Sequence, residues 1–448
     1  MAATDEVTNK EHETKKNKLH FVIVGGSLGG LAAGITLKAL GHDTTVLERN
    51  PAPLLHDQGA GIVAGGPALQ LLEQHNRCRR RKRREDIAVR AGARQYLDRA
   101  GNVVHTVENA NHYMSSWDLT YHLLRANYDG LTSSYCDVPN PDPSHGTAVH
   151  LHDHTVTGIA ENREGVLVSW QRTSEPSVTG TLRADRVVSA DGPSSLVRSL
   201  FAPTGVERTY AGYCALRGTV AEREVSAAAR EIFTDRFTFY HAPGVQILAY
   251  LIPGANGTVK PGERLINFVY YANFPNGSAE LEELLTDRHG RRHRITVPPG
   301  LTDPGAWARQ CDIARERLPP QFAELVCKAQ RPFVQAVTDV ISPTNEFLNG
   351  RVVLIGDALA GFRPHTVAST SQAAFDAMLY ADYVAGRVGQ DEWKRKTLGY
   401  ARFVHKRGVD MGQRSQHQQL ALEEYIRDRD EVSIPIRDDM FPEWATAI

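Results

Sequence analysis

Long apolar runs, paired cysteines and an excess of either charge are what this 448-residue chain lacks. No stretch approaches the ~18 consecutive apolar residues of a membrane span. The five cysteines, Cys78, Cys136, Cys214, Cys311 and Cys327, are odd in number, and no C-x-x-C pair occurs. That argues against a disulfide framework or a structural zinc site and favours a reducing, cytoplasmic setting. Residues 1–18, MAATDEVTNKEHETKKNK, carry no apolar core of a secretory signal and are expected to form a solvated tail. With 51 basic and 52 acidic residues the net charge is −1, so no basic field exists to draw a nucleic acid. The run Arg77–Arg84 (RCRRRKRR) is the one biased segment, and without interleaved aromatics it reads as a solvated loop. What is present is ample core material, 41% hydrophobic residues, and a length that suggests two or three domains at ~100–200 residues each.

The chain opens with an apolar strand (Phe21 to Val24), a glycine turn, an amphipathic helix (about Leu28 to Leu40) and a second strand (Thr44 to Glu48). A βαβ opening of this kind predicts a parallel sheet and an α/β fold. Two later strands, Arg186 to Ala190 and Arg351 to Ile355, end in polar turns. Between them, from about Tyr210 to Phe274, β-branched and aromatic residues with Pro/Gly punctuation predict an antiparallel sheet. From Ser371 almost to Arg427 the pattern is helical, with a Pro-containing tail beyond. The predicted organisation is a nucleotide-binding α/β domain (19–205 and 341–390) interrupted by a β-rich domain (206–340), with a C-terminal helical region and tail (391–448).

Gly25-Gly26-Ser27-Leu28-Gly29-Gly30 lies between the first strand and helix. Such a turn aims backbone N–H groups and a helix N-terminus at a pyrophosphate. Ser27 replaces the middle glycine of G-x-G-x-x-G, and Glu48 follows Gly30 by 18 residues, near the spacing at which an acid meets a ribose. The same residues also spell G-x-S-x-G, the nucleophile elbow of an α/β-hydrolase, with Ser27 as nucleophile. Only 24 residues precede the turn, too few for the sheet that usually comes before an elbow, and the hydrolase reading leaves Glu48 unexplained.

Two more motifs follow: RVVSADGPSSLVR (Arg186–Arg198), a strand with an Asp-Gly turn and a basic helix start, and GRVVLIGDA (Gly350–Ala358), a strand ending in Gly-Asp. With these three in order, residues 19 to 385 resemble the class A flavoprotein aromatic hydroxylases, the p-hydroxybenzoate hydroxylase-like monooxygenases. Ser27 within the fingerprint, Tyr210–Tyr213 with Leu216-Arg217-Gly218, and Arg363-Pro364-His365 look like the dihydroxypyridine hydroxylase branch. The resemblance implies a Rossmann-like FAD domain of glutathione-reductase type and a mostly antiparallel substrate domain. It also implies FAD as cofactor, NADPH or NADH as transient co-substrate, and O2 with a small electron-rich aromatic ring (phenolic or hydroxypyridine-like) as partners, with hydroxylation through a flavin C4a-hydroperoxide. A homodimer is the expected assembly. Oxidative decarboxylation of a hydroxybenzoate-type acid is a variant, and a non-catalytic flavin-binding protein is the reading outside catalysis. The W-x-W-x-I-P signature of flavin halogenases is absent.

Carried over by position, Gly25, Ser27, Leu28 and Gly30 would form the pyrophosphate turn, and Glu48 would hold the adenosine ribose with Arg49 beside it. Asp191 would lie near the pyrophosphate and ribityl chain, and Asp357 would accept hydrogen bonds from that chain. The loop from Pro364 through Ala368 to Thr370 would lie against the isoalloxazine. Two departures stand out. The loop reads HTVASTS where many members carry glycines, and Ser116 stands where an arginine often precedes the Asp-Leu of the next helix. Candidates for substrate contact are His365, Tyr213, Arg217, Tyr240, His241 and Tyr250. His289 and His293 have i,i+4 spacing but no glutamate in a zincin position, and read as a surface loop.

Overall fold

The computed structural model describes residues 18–55, 61–202 and 204–431. Most of the expected N-terminal tail and the Pro-containing C-terminal tail lie outside the described residues.

A six-stranded sheet forms the first layer, in the order Glu346–Phe347, Val352–Leu354, Arg186–Ser189, His20–Val24, Asp43–Leu47, Ala148–Leu151. All pairs are parallel except the edge pair Glu346–Phe347 with Val352–Val353. Phe21, Val22 and Ile23 are all fully buried, because a parallel sheet is covered on both faces and both sets of side chains meet protein. That is why the strand reads as a continuous apolar run. Helix Leu28–Ala39 covers one face together with Trp117–Tyr128 and Ser369–Val384. The sequence-predicted boundaries of the first helix and of the motif strands fall within about two residues of those observed.

The second sheet follows the path Thr296–Val297, Phe333–Ile341, Thr209–Ala221, Leu265–Asn273, Val245–Ile252, Arg236–Ala242, Val89–Leu97, Val103–Ser116, Gly61–Val63. It is antiparallel except where Arg236–Ala242 meets Val89–Leu97. Three of its strands, between Gly61 and Ser116, thus come from the early part of the chain. One face packs on helices Pro304–Arg317 and Pro320–Lys328 around Phe268, Leu325 and Phe322. The other carries Tyr213, Tyr250 and Tyr271, in one cluster with Val367 and with Leu420 and Tyr425 of the C-terminal region.

The helical C-terminus divides into Ser369–Val384, Gln390–Gln416 and Leu422–Glu431, with Gly386 and Gly389 in the first break. The basic run is more than a solvated loop. Arg81 donates to the carbonyls of Tyr135, Asp86, Gly257 and Asn256, stapling the segment to two distant turns, while Arg84 pairs with Glu73 and Arg83 with Asp86. His293 is bonded to Asp287 at 2.7 Å. All five cysteines are free thiols. Among the described residues no helix is long and apolar enough to cross a membrane.

The first helix packs tightly on its strand at Gly30, where a Cβ would stand 1.9 Å from the Gly25 carbonyl oxygen. Gly30→Ala must push helix Leu28–Ala39 off the strand. Urea denaturation should show a loss of about 2–3 kcal/mol, and an unchanged midpoint would mean the turn is looser than its geometry.

Candidate active site

Parallel pairing brings the three motif strands side by side, so their C-terminal ends open into one crevice. This is where ligands bind in open α/β sheets. The first turn begins at Gly25, held at φ +103°, where a Cβ would fall 2.4 Å from the Ala190 carbonyl of the second motif. Only glycine tolerates both that dihedral and that approach. Glu48 ties the turn to the second strand: Oε2 accepts from the Gly26 N–H at 2.7 Å and Oε1 from Asn50 N–H at 2.8 Å. Ser27 is the N-cap of helix Leu28–Ala39, but its hydroxyl makes no capping bond and lines the crevice. Among the described residues no histidine or carboxylate engages that hydroxyl, so the nucleophile-elbow reading finds no general base.

In the second turn Asp191 faces inward. Its Oδ2 accepts from the Leu196 and Val197 N–H groups (2.8 and 3.3 Å) and its Oδ1 from the Ser189 hydroxyl (2.6 Å). It thus satisfies the first two N–H groups of helix Leu196–Phe201, whose N-cap is Ser195, while Ala190, Gly192 and Pro193 present the turn to the crevice. The third turn differs. Asp357 lines the crevice, and its Oδ1 is buried without a hydrogen-bond partner. Burial pushes its carboxyl up to about 6, against the opposing effects of Arg208 and Ser369.

The crevice encloses a cavity of about 330 Å³ between the two sheets. Its walls are the three turns, Gly61–Val63 with Trp117, the strand residues Gln335, Val337 and Thr338, and the segment from Phe362 to Ala373. In that last segment Pro364–Thr366 form a single helical turn, Val367 is left-handed at φ +51°, and helix Ser369–Val384 begins at Ala368, which offers no side-chain cap. The N–H groups of that helix's first turn lack intrahelical partners by construction.

The expected substrate residues separate. Arg217 lines the cavity; its guanidinium lies 5.2 Å from the Phe333 ring centroid and its buried Nε has no hydrogen-bond partner. Tyr213 and His365 are bonded to each other (hydroxyl to Nε2, 3.0 Å) behind the loop, not in the cavity wall. Beside them Arg363 Nε donates to Asp339 Oδ2 at 2.5 Å. Burial alone would raise Asp339, but His405 and Arg363 hold it down at about 2. Tyr240 sits on the opposite face of the sheet, with the helix-covered core, because alternation along Arg236–Ala242 sends it there. His241 faces the cavity side but is stacked on Tyr425 at 3.9 Å and bonded to the Leu420 carbonyl. Tyr250 packs against Phe237 beside Gly61.

Of the expected cofactor residues, Ser27, Leu28, Asp357 and Pro364 line the cavity. Gly25, Gly30 and Glu48 shape the turn. Ser116 caps helix Trp117–Tyr128, Ala368 is buried at the loop's end, and Arg49 is exposed. Sequence reasoning missed Arg208, whose Nε donates to Thr338 and Nη1 to Ser194, and Trp117, the residue directly before the Asp-Leu pair. Nothing local marks Arg208, which stands in a loop before a strand.

These residues fit FAD. A glycine-rich turn and two helix N-termini suit a pyrophosphate, and an orphaned buried carboxylate oxygen suits a ribityl hydroxyl.

Three comparisons agree with that geometry. A family model described as FAD binding domain-like matches residues 210–339. The 2,6-dihydroxypyridine 3-monooxygenase of Paenarthrobacter nicotinovorans is 30% identical over 402 residues, 89% of this chain and 91% of that protein. The solved 2,6-dihydroxypyridine-3-hydroxylase from Arthrobacter nicotinovorans superposes with a TM-score of 0.75 at 28% identity, covering 91% of this chain and 95% of that one. Klebsiella pneumoniae HpxO, solved with FAD and uric acid, shares the fold at 19% identity (TM-score 0.67, 93% and 94% covered).

Asp357→Ala should weaken FAD binding at least tenfold, read by quenching of flavin fluorescence, since a charged hydrogen bond contributes about 1.5–3 kcal/mol. Unchanged affinity would show that the third turn does not face the cofactor.

Proposed function

The chain belongs to the class A flavoprotein aromatic hydroxylases, FAD-dependent monooxygenases, and from that membership we propose that it uses NAD(P)H and O2 to hydroxylate an electron-rich ring of the phenol or hydroxypyridine class. The observation that carries the substrate class is Arg217, a cationic side chain in the cavity wall whose buried Nε has no partner. An acidic ring hydroxyl placed there would be favoured in its ionised form, because a nearby positive charge lowers an oxygen acid's pKa. The ionised oxygen makes the ring more electron-rich and more reactive toward oxygen transfer. The dihydroxypyridine named in its relatives is a ring of this kind.

Bound FAD supplies the activation of O2, which no side chain performs. The chain's own residues bind and enclose. Asp357 would accept from the ribityl chain, and the N-termini of helices Leu28–Ala39 and Ser369–Val384 would face negative charge on the cofactor. Trp117, Ile62, Val63, Val337 and Phe362 form an apolar part of the wall, which would limit water where oxygen is transferred. The motif sheet has one glycine fingerprint, which FAD takes. NAD(P)H would therefore bind transiently on the surface of the same layer.

Arg217 would equally hold a ring carboxylate, so oxidative decarboxylation stands as the second reading. Product mass separates the two: gain of one oxygen, against gain of oxygen with loss of CO2. A screen of hydroxylated pyridines, phenols and hydroxybenzoates, following NADH and NADPH oxidation, should find substrate-stimulated turnover. Arg217→Gln should raise KM for the best substrate at least tenfold, the scale of a lost charged contact. Bound FAD with no stimulation by any ring would favour the non-catalytic flavin-binding reading instead.

A further inference from the structure

The turn that presents Asp357 is gripped from behind by one helix. The Gly356 N–H donates to Asp376 Oδ2 at 2.8 Å, and the Gly356 carbonyl accepts from Gln372 Nε2 at 3.0 Å. Gln372 and Asp376 are four residues apart on helix Ser369–Val384, hence on one face, and both are fully buried. Their grip holds Gly356 at φ +55°, with Ala373 so close that a Cβ on Gly356 would meet its side chain at 3.2 Å. The same helix supplies Ser369 and Thr370 to the cavity wall, so one rigid element sets both the wall and the aim of the next residue, Asp357.

We propose that Gln372 and Asp376 are positioning residues for the cofactor: by clamping both sides of the Gly356 peptide they aim the Asp357 carboxyl into the cavity. The inference rests on the reading that Asp357 holds FAD. Neither residue lines the cavity, so each acts through Asp357.

The two carboxyls are kept in different states. Burial pushes both carboxyls up, Asp376 to about 8 and Asp357 to about 6, so of the two Asp376 holds its proton to the higher pH. The remaining polar atoms of the clamp, Asp376 Oδ1 and Gln372 Oε1, are buried without partners, as suits a neutral acid and amide more than a charged pair.

The groups around Asp376 are few. Tyr400 approaches from helix Gln390–Gln416, and Asp357 lies across the turn with Arg208 beyond it. Helix Leu28–Ala39 offers Thr36, whose hydroxyl lies within reach of the Ala377 carbonyl, while its Lys38 is turned to the carbonyls of Asn127 and Tyr128. On helix Gly66–His75, Glu73 is paired with Arg84, and His75 lies in the last turn. No cation is bonded to the Asp376 carboxyl among the described residues. Ionising it therefore adds an uncompensated negative charge next to Asp357, the group that would hold FAD, and FAD affinity should fall as pH rises through about 8.

The test is FAD titration of the full chain stripped of flavin, read by fluorescence quenching from pH 6.5 to 9.5, with the urea midpoint of each variant as a check on folding. In the wild type the Kd should rise on the order of tenfold between pH 7 and 9. Asp376→Asn, which keeps the acceptor and cannot ionise, should match wild type within about threefold at pH 7 and lose the alkaline rise. Asp376→Ala and Gln372→Ala should each bind at least tenfold more weakly. Should Asp376→Ala fail to fold, Asp376→Asn and Gln372→Ala still decide the matter. An alkaline rise that persists in Asp376→Asn, or wild-type affinity in Gln372→Ala, overturns the clamp. Wild-type affinity in Asp357→Ala overturns the underlying reading of Asp357, a failure distinguishable from the other two.

Discussion

Everything at the site depends on the register of three parallel strands. Val24 is paired with Ser189, and Ser189 with Leu354, so the last residues of the motif strands stand in one row across the sheet. The hydrogen bonds continue past that row: Ala190 N–H reaches the Val24 carbonyl and Ile355 N–H the Ser189 carbonyl. Each chain then breaks into its turn at the same level. A slip of one residue in any pair would exchange the faces of that strand and carry its turn about 3.3 Å along the sheet. Motifs separated by more than 160 residues of sequence act as one surface because this ladder holds them level.

Given that row, the acids sort by how well their oxygens are satisfied. Glu48 and Asp191 both spend their oxygens on neighbouring donors, chiefly backbone N–H groups, and so fix the shapes of the first two turns. Asp357 is the member left with a buried oxygen unpartnered, at an energetic cost that a ligand hydroxyl would remove. A sequence shows three acids after three strands and cannot rank them. The ranking depends on which N–H groups the fold delivers to each carboxylate, and those come from residues up to 22 positions away.

The strands, the first helix, the motif turns and the change to an antiparallel sheet were legible because they rest on local patterns: apolar runs, helical spacing, and glycine where φ is positive. The substrate wall was far less so. Tyr213, Arg217 and Tyr240 all looked alike as polar-tipped residues in strands. Their fates turn on which sheet face each takes and on what covers that face. A bulge between Tyr210 and Cys214, with Gly212 at φ +89°, resets the alternation before Tyr213 and Arg217. Helix Gln390–Gln416 then packs where Tyr213 points, and a Cβ on Gly412 would touch its hydroxyl at 2.5 Å. Arg217, further along the same strand, is left facing the cavity. That division is made by a helix nearly 200 residues downstream, and no local pattern encodes it.

The same helix accounts for the loop's departure from glycine. Val367 in the left-handed region costs a β-branched residue about 1–2 kcal/mol, and the conformation persists only if its surroundings impose it. They do so on the side away from the cavity. His365 is bonded to Tyr213, Arg363 to Asp339, and Gly408 and Gly412 leave room for the Arg363 side chain to lie against the helix. The His365–Tyr213 hydrogen bond and a largely buried ion pair are together of the right order to offset that strain. The loop therefore needs no glycine, because its shape is enforced from outside instead of permitted from within. One consequence is that the side chains of Pro364 and Val367 line the cavity where bare backbone would otherwise stand. Another is that residues bonded behind the loop, His365 and Tyr213 among them, govern the cavity's shape without entering it.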